Sequence, residues 1–360
     1  MYLKINILVF ILSLSFVLEG YDAQLASNLQ DKNQDETLKF EGTGEAKDEN
    51  TKVDAKRSVK RSRKKTKSIG DLSLELAKLH ILEETLRKSK ALDKLKNEVN
   101  ENSEDNCRRI KKVGEPIVHH HSGTTQGTWM RDPLGLLGAE KIWYINGYYG
   151  TNKVLEFEDM DHFKAGEIGK THTLPYNIDG TGSVVYGRYL YFNRAGTNYI
   201  VQYDLVAGKV TRQACPNGNI KSRNYSYQWG GYTTVDLSVD ESGLWVLWAY
   251  SGYSGKLCAT QIDPLTLASL HQYCGISSEA KTSMGNAFVA CGVVYSIDSY
   301  SGSTTINYAY DTVTGSRTNP AIKFKNKFGY NSMVTYNPRE KVLYAWDNRR
   351  QITYPLEFED

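Results

Sequence analysis

Three carboxylates far apart in the chain, Asp179, Asp236 and Asp298, are of the type that performs general acid and base work. Hydrolysis of a glycosidic bond needs two such groups about 5 to 9.5 Å apart with one pKa raised, so these aspartates carry chemistry only if the fold gathers them. His119, His120 and His121 stand in a row and invite a metal reading. Neighbours on an extended strand point to opposite faces, however, and nothing else at ligand spacing joins them, so a surface loop is the better reading. Five cysteines (Cys107, Cys215, Cys258, Cys274 and Cys291) form up to two disulfides, with one left over, if the chain follows an oxidising route. Asn224, in the string NYS, is the only Asn-x-Ser/Thr acceptor, and its polar surroundings place it on an accessible loop. The chain has no nucleophile elbow, no phosphate-cradling glycine loop and no His-Glu-x-x-His pattern.

The elements that would position these residues are unevenly spread along 360 residues. With 44 Lys plus Arg against 41 Asp plus Glu, the net charge of +3 excludes a charge-driven role on nucleic acid or an anionic membrane. The apolar run INILVFILSLSFVL at 5–18 follows Lys4 and precedes Glu19, Gly20 and Ala23, the pattern of a signal peptide over 1–23. It is short for a membrane span, an uncleaved signal anchor is the alternative, and no later run reaches membrane length, so the mature chain is expected to be secreted without a span. Residues 24–70 are polar and nearly free of aromatics, a composition that cannot offset its ordering entropy and reads as a disordered linker. Within it, KRSVKRSRKKTK at 56–67 offers dibasic steps at Arg57, Arg61 and Lys65 for processing, a weak polyanion patch, or merely a solvated linker. From 71 to 102 there is neither Pro nor Gly, and Leu72, Leu76, Leu79, Leu82, Leu86, Leu92, Leu95 and Val99 recur mostly at three and four. That periodicity predicts an amphipathic helix and a short coiled coil joining copies of the chain, although the step of six after Leu86 breaks the seam.

All 6 tryptophans and 23 of the 25 tyrosines lie at or beyond Trp129. In this part five similar apolar strands, IWYI, LYFN, LWVL, VYSI and LYAW, are anchored on Trp143, Tyr191, Trp245, Tyr295 and Tyr344, at steps of 48, 54, 50 and 49 residues. A period near fifty is that of a propeller blade. Between the anchors recur QYDLVAGKV, QIDPLTLAS and AYDTVTGSR, in which Asp204, Asp263 and Asp311 start turns by accepting bonds from their own backbone. The unit is strand, strand, hairpin, strand, repeated five times. The expected fold is therefore all-β, a five-bladed β-propeller over 107–360, preceded by a disordered leader and an amphipathic helix. A pair of β-sandwiches fits less well, because sandwiches lack a superimposed period near fifty.

Several long strings here resemble the olfactomedin domain: GTWMRDP at 127–133, LPYNIDGTGSVVYGRYLYFN at 174–193, YQWGGYTTVDLSVDESGLWVLW at 227–248, GNAFVACGVVYSI at 285–297 and YNPREKVLYAWDN at 336–348. The resemblance implies a five-bladed propeller in a secreted or cell-surface glycoprotein behind a helical oligomerising segment. It also implies a disulfide between Cys107 and Cys291, which closes a long loop and removes about 4 to 5 kcal/mol of unfolded-state entropy. Cys258 and Cys274 flank the QIDPLTL hairpin, and either pair across adjacent strands or remain two buried thiols. The resemblance further implies an axial calcium site built from Asp236, Asn286 and the carbonyls of Ala287 and Val334. Thr335 and Thr234 stand where the family pattern has further aspartates, which removes charge from the cage and leaves a water-filled or sodium-occupied cavity as the alternative. The functional expectation is a non-catalytic glycoprotein that binds extracellular or cell-surface proteins, forms homo-oligomers through 71–102, and has calcium as its one implied cofactor. A soluble ligand released at the basic run is the second reading and a propeller glycosidase the third.

Overall fold

The computed structural model describes residues 109–215 and 224–359. The expected signal peptide, linker and helix, the processing sites Arg57, Arg61 and Lys65, and Cys107 lie outside the described residues. Five antiparallel sheets make five blades. Blades 1 to 4 open on the inner strands Gly127–Met130, Val184–Tyr186, Asp236–Asp240 and Asn286–Ala290, and blade 5 opens on Asn331–Asn337. Each of the five anchor residues falls on the second strand of its blade: Ile142–Asn146, Tyr189–Asn193, Gly243–Ala249, Val293–Ile297 and Val342–Asp347.

The continuous apolar texture of those strands has a direct cause. Successive side chains point to opposite faces, and both faces of a blade are covered by its neighbours. On the second strand of blade 1, Trp143 and Ile145 join the cluster shared with blade 2, while Ile142 and Tyr144 join the cluster shared with blade 5. Five such clusters fill the five gaps between blades, so the ring has no unpaired face.

The hairpins joining third and fourth strands form as their aspartates require. Asp204 Oδ1 accepts from the backbone N–H groups of Val206 and Ala207, Asp263 Oδ1 from those of Leu265 and Thr266, and Asp311 Oδ1 from those of Val313 and Thr314. Blade 1 differs, because a short helix, Met160–Ala165, stands between its third and fourth strands. The Asp159 carboxylate caps that helix by accepting from the N–H groups of Asp161 and His162. Phe163, buried on the helix, stacks on Trp129 at 5.7 Å.

The strand, strand, hairpin, strand unit is complete within the sequence of four blades only. Blade 5 has no fourth strand of its own: Arg350–Phe358 pairs on its free edge with Ile110–Val113 and Ile117–His121, from the start of the described chain. Arg109 then reaches Asp311 and Ser316 on the outer hairpin of blade 4, and the Tyr295 hydroxyl accepts from the N–H of Ile110. The three histidines therefore sit in a strand rather than a surface loop, with His119 Nε2 2.8 Å from Thr353 Oγ1 and the His120 ring against Phe163. Burial is the main cause pushing both rings below the ordinary histidine range.

Cys258, on the third strand of blade 3, forms a disulfide with Cys274, just past the end of the fourth, with Cα atoms 4.1 Å apart. Cys291 is also disulfide-bonded. Among the described residues no helix is long and apolar enough to cross a membrane.

Two expectations follow from this packing. Trp129 is fully buried between blades 1 and 5, and its indole N–H donates to the carbonyl of Ala345 at 2.8 Å. Trp129→Ala should cost about 4 kcal/mol and lower the melting temperature by about 10 °C, read by calorimetry, with Trp129→Phe intermediate. In blade 1, Glu156 accepts from Lys141 at 2.8 Å and from the Trp143 indole at 3.3 Å, and lies 2.8 Å from His172 Nε2. Burial pushes its carboxyl up, but the bonds from His172 and Lys141 and the lysine charge outweigh that and hold it at about 2. A depressed carboxylate stabilises the fold above its unfolded value and loses that contribution as pH falls. Melting temperature should therefore drop between pH about 4.5 and 2, and Glu156→Gln should flatten that segment of the profile.

Candidate functional site

The inner strands carry an unusual density of buried polar groups around the axis. Thr128 of blade 1 donates to the carbonyl of Thr181, at the entry to blade 2, and Thr181 donates to the carbonyl of Ser332 in blade 5. Across the ring, the Leu237 N–H donates to Gly182 and the Val289 N–H to the hydroxyl of Ser238. These bonds tie neighbouring blades where apolar packing gives way to backbone.

Asp236 begins the inner strand of blade 3 and is 7% exposed. Its Oδ2 accepts from the Tyr227 hydroxyl at 2.6 Å, and its Oδ1 is so close to Gly182 that a Cβ there would fall on the carboxylate. Glycine is required at 182 by this approach. Over the Tyr227 ring, 4.1 Å from its centre, sits the ammonium of Lys281, whose side chain is wholly buried. Lys281 Nζ donates to the carbonyls of Thr233 and Thr234. Burial pushes the Asp236 carboxyl up and the Lys281 ammonium down, and the attraction between the two opposes both shifts.

The other residues implied as calcium ligands are on inner strands as well. Asn286 opens that of blade 4, with its Oδ1 accepting from the N–H of Ala287, and Val334 and Thr335 lie within that of blade 5. Thr335 lines a cavity with Met130, Arg131, Val184, Val239 and Tyr336, and its hydroxyl is buried without a hydrogen-bond partner. Among the described residues no group of three or more His, Cys, Asp or Glu is arranged to hold a metal. The carboxylates considered for hydrolysis are each engaged in local bonds: Asp179 Oδ2 accepts from the Gly196 N–H, and Asp298 from the Thr305 N–H and hydroxyl.

Where the loops run into the inner strands, six aromatic side chains form a chain of rings. Tyr149 stacks on Tyr232 at 4.6 Å, Tyr148 meets Trp229 at 5.7 Å, Trp229 meets Tyr330 at 6.2 Å, and Tyr330 meets Tyr300 at 5.1 Å. The loops belong to different blades, so their proximity exists only in the closed ring. Tyr149 is 61% exposed and Tyr232 43%. Tyr232 has φ 55°, a left-handed conformation that costs a tyrosine about 1 kcal/mol and concentrates at functional loops. Gly231, also left-handed, faces the Trp229 ring where a Cβ has no room. The loop thus holds Tyr232 outward, against Tyr149 of blade 1.

Sequence reasoning identified Asp236 and Asn286 but not Tyr227, Gly182 or Lys281. Lys281 lies five residues before Asn286, and a lysine seldom lies fully buried, so its position carries no local signal. Asn224, the expected glycan acceptor, is exposed.

The model of the olfactomedin-like domain matches residues 102–360. Myocilin of Canis lupus familiaris is 39% identical over 265 residues, covering 71% of this chain and 54% of that protein. Myocilin of Rattus norvegicus is 37% identical, covering 71% of this chain and 52% of that protein. The chain thus matches about half the length of these curated relatives. Among solved structures, the Myxococcus xanthus glutaminyl cyclase covers 71% of this chain and 99% of its own, at 12% identity and a TM-score of 0.42. The Chaetomium thermophilum Raptor structure covers 65% of this chain and 19% of its own, at 10% identity and a TM-score of 0.35. Those structural likenesses are too distant to carry an argument about chemistry. Matched by the family model across the whole described propeller, the chain belongs to the olfactomedin-like domain family.

Proposed function

We propose that this chain is a secreted extracellular glycoprotein whose propeller binds matrix or cell-surface proteins in adhesion or signalling, without catalysis. The observation that carries the reading is the exposed aromatic pair, Tyr149 of blade 1 and Tyr232 of the loop entering blade 3, stacked at the end of the ring with Tyr232 held by a constrained backbone. Tyrosine and tryptophan supply large contact areas at low entropic cost, and they dominate the energetic centres of protein interfaces. Location is supported by the apolar leader, the exposed sequon at Asn224 and the disulfide in blade 3, which suit an oxidising route. The engagement of Asp179, Asp236 and Asp298 in local hydrogen bonds favours a binding role over hydrolysis. Copies of the chain joined through the leucine-periodic segment 71–102 would present several heads at once and raise avidity. The dibasic steps at Arg57, Arg61 and Lys65 support a second reading, in which cleavage releases the head as a soluble ligand.

Affinity capture tests the surface. The secreted protein and its Tyr149→Ala/Tyr232→Ala variant serve as baits against matrix and cell-surface extracts of the native tissue. We expect a specific extracellular protein whose recovery falls about thirtyfold with the variant at an unchanged melting temperature, as for loss of about 2 kcal/mol. Equal recovery removes this face as the recognition surface. Light scattering on the secreted protein should give more than one chain per particle, and removal of 71–102 should give one. A single-chain particle that retains 71–102 defeats the oligomer reading.

A further inference from the structure

We propose that the axial cation of this propeller is the ammonium of Lys281, and that the head folds and persists without calcium. Calcium takes six to eight oxygen ligands, and its affinity follows the number of carboxylates among them. The residues present do not fit that requirement. Of the implied set only Asp236 is acidic, since Thr335 and Thr234 are neutral. One oxygen of Asp236 already accepts from Tyr227 at 2.6 Å, and the other is pressed against Gly182.

The charge count leads to the same result. Asp236 and Lys281 balance at zero within a region where both side chains are buried. A divalent ion added there would leave two positive charges without counter-charge in a desolvated setting. The ammonium, by contrast, is fully provided for. Its three protons are matched by the carbonyl of Thr233, the carbonyl of Thr234 at 3.3 Å, and the face of the Tyr227 ring at 4.1 Å. Tyr227 in turn donates a hydrogen bond from its hydroxyl to the carboxylate, so cation, ring, hydroxyl and anion form one continuous series. Lys281 comes from the loop entering blade 4, whereas Thr233, Thr234 and Tyr227 precede the inner strand of blade 3. The lysine therefore occupies the role of an ion that joins blades.

The test is a set of melts on the full secreted chain. In wild type we expect the same melting temperature in millimolar calcium and in excess chelator, and no heat on titrating calcium chloride into the protein. Lys281→Met should lower the melting temperature by about 10 °C, because it strands a buried carboxylate. Adding Asp236→Asn to that variant should recover several degrees, because both charges are then gone and the two sites are coupled. A calcium-dependent rise in the wild-type melt overturns the proposal whatever the variants do. So does a double variant whose loss equals the sum of the two single losses.

Discussion

The hydrogen-bonded seam between Arg350–Phe358 and the strands Ile110–Val113 and Ile117–His121 is the contact on which the propeller depends. Each blade is apolar on both faces, so an open ring would expose two of them to water. Joining residues about 245 positions apart costs loop entropy that grows only as the logarithm of length, about 5 kcal/mol plus a constant. Closure brings together the cluster of blades 4 and 5, with Ile110, Phe288, Tyr295, Leu343 and Tyr354 among its members. At roughly 1.5 to 3 kcal/mol for each large side chain removed from water, a few of these contacts offset the entropy of closure. The pairing also covers the long edge of Arg350–Phe358, which would otherwise invite association with other strands.

Closure explains why the axis tolerates so many polar groups. In a ring of five blades the inner strands converge, and the remaining space is too narrow for large apolar side chains on every strand. Thr128, Thr181, Ser238 and Ser332 fill it and spend their hydroxyls or carbonyls on bonds between blades. Asp236 and Lys281 sit within the same economy of space. A neutral pair held by carbonyls and a ring face is tolerable there, while either charge alone is costly.

Much of this architecture was legible in the sequence, for reasons that differ by residue. The period near fifty was readable because Trp143, Tyr191, Trp245, Tyr295 and Tyr344 all occupy the most enclosed strand, where burial on both faces forces an apolar run. Asp204, Asp263 and Asp311 were readable because an aspartate turn is a local event, completed within three residues. Ile110–Val113 was not readable as a strand, because IKKV is half polar and becomes one only by pairing with the far end of the chain. The aromatic rim escaped notice for a similar reason: Tyr148, Trp229, Tyr300 and Tyr330 lie in four loops and meet only in the closed ring. Lys281 was hidden most completely, since nothing near it in the sequence distinguishes a buried ammonium from a solvated one.

The loop that leads into blade 3 connects the interior of the propeller with its surface. Its Tyr227 is bound by Asp236 through the hydroxyl and lies beneath Lys281, and its Thr233 and Thr234 carbonyls hold the ammonium. Between these inward residues, Gly230 and Gly231 turn the chain so that Trp229 and Tyr232 face the other rings of the rim. The Tyr227 N–H donates to the Thr233 hydroxyl, which donates to the Gly230 carbonyl, so the inward and outward halves share one set of bonds. Loss of the buried cation would therefore loosen the segment that presents Tyr232, and the charge pair at the axis acts as the mechanical support of the exposed aromatic surface.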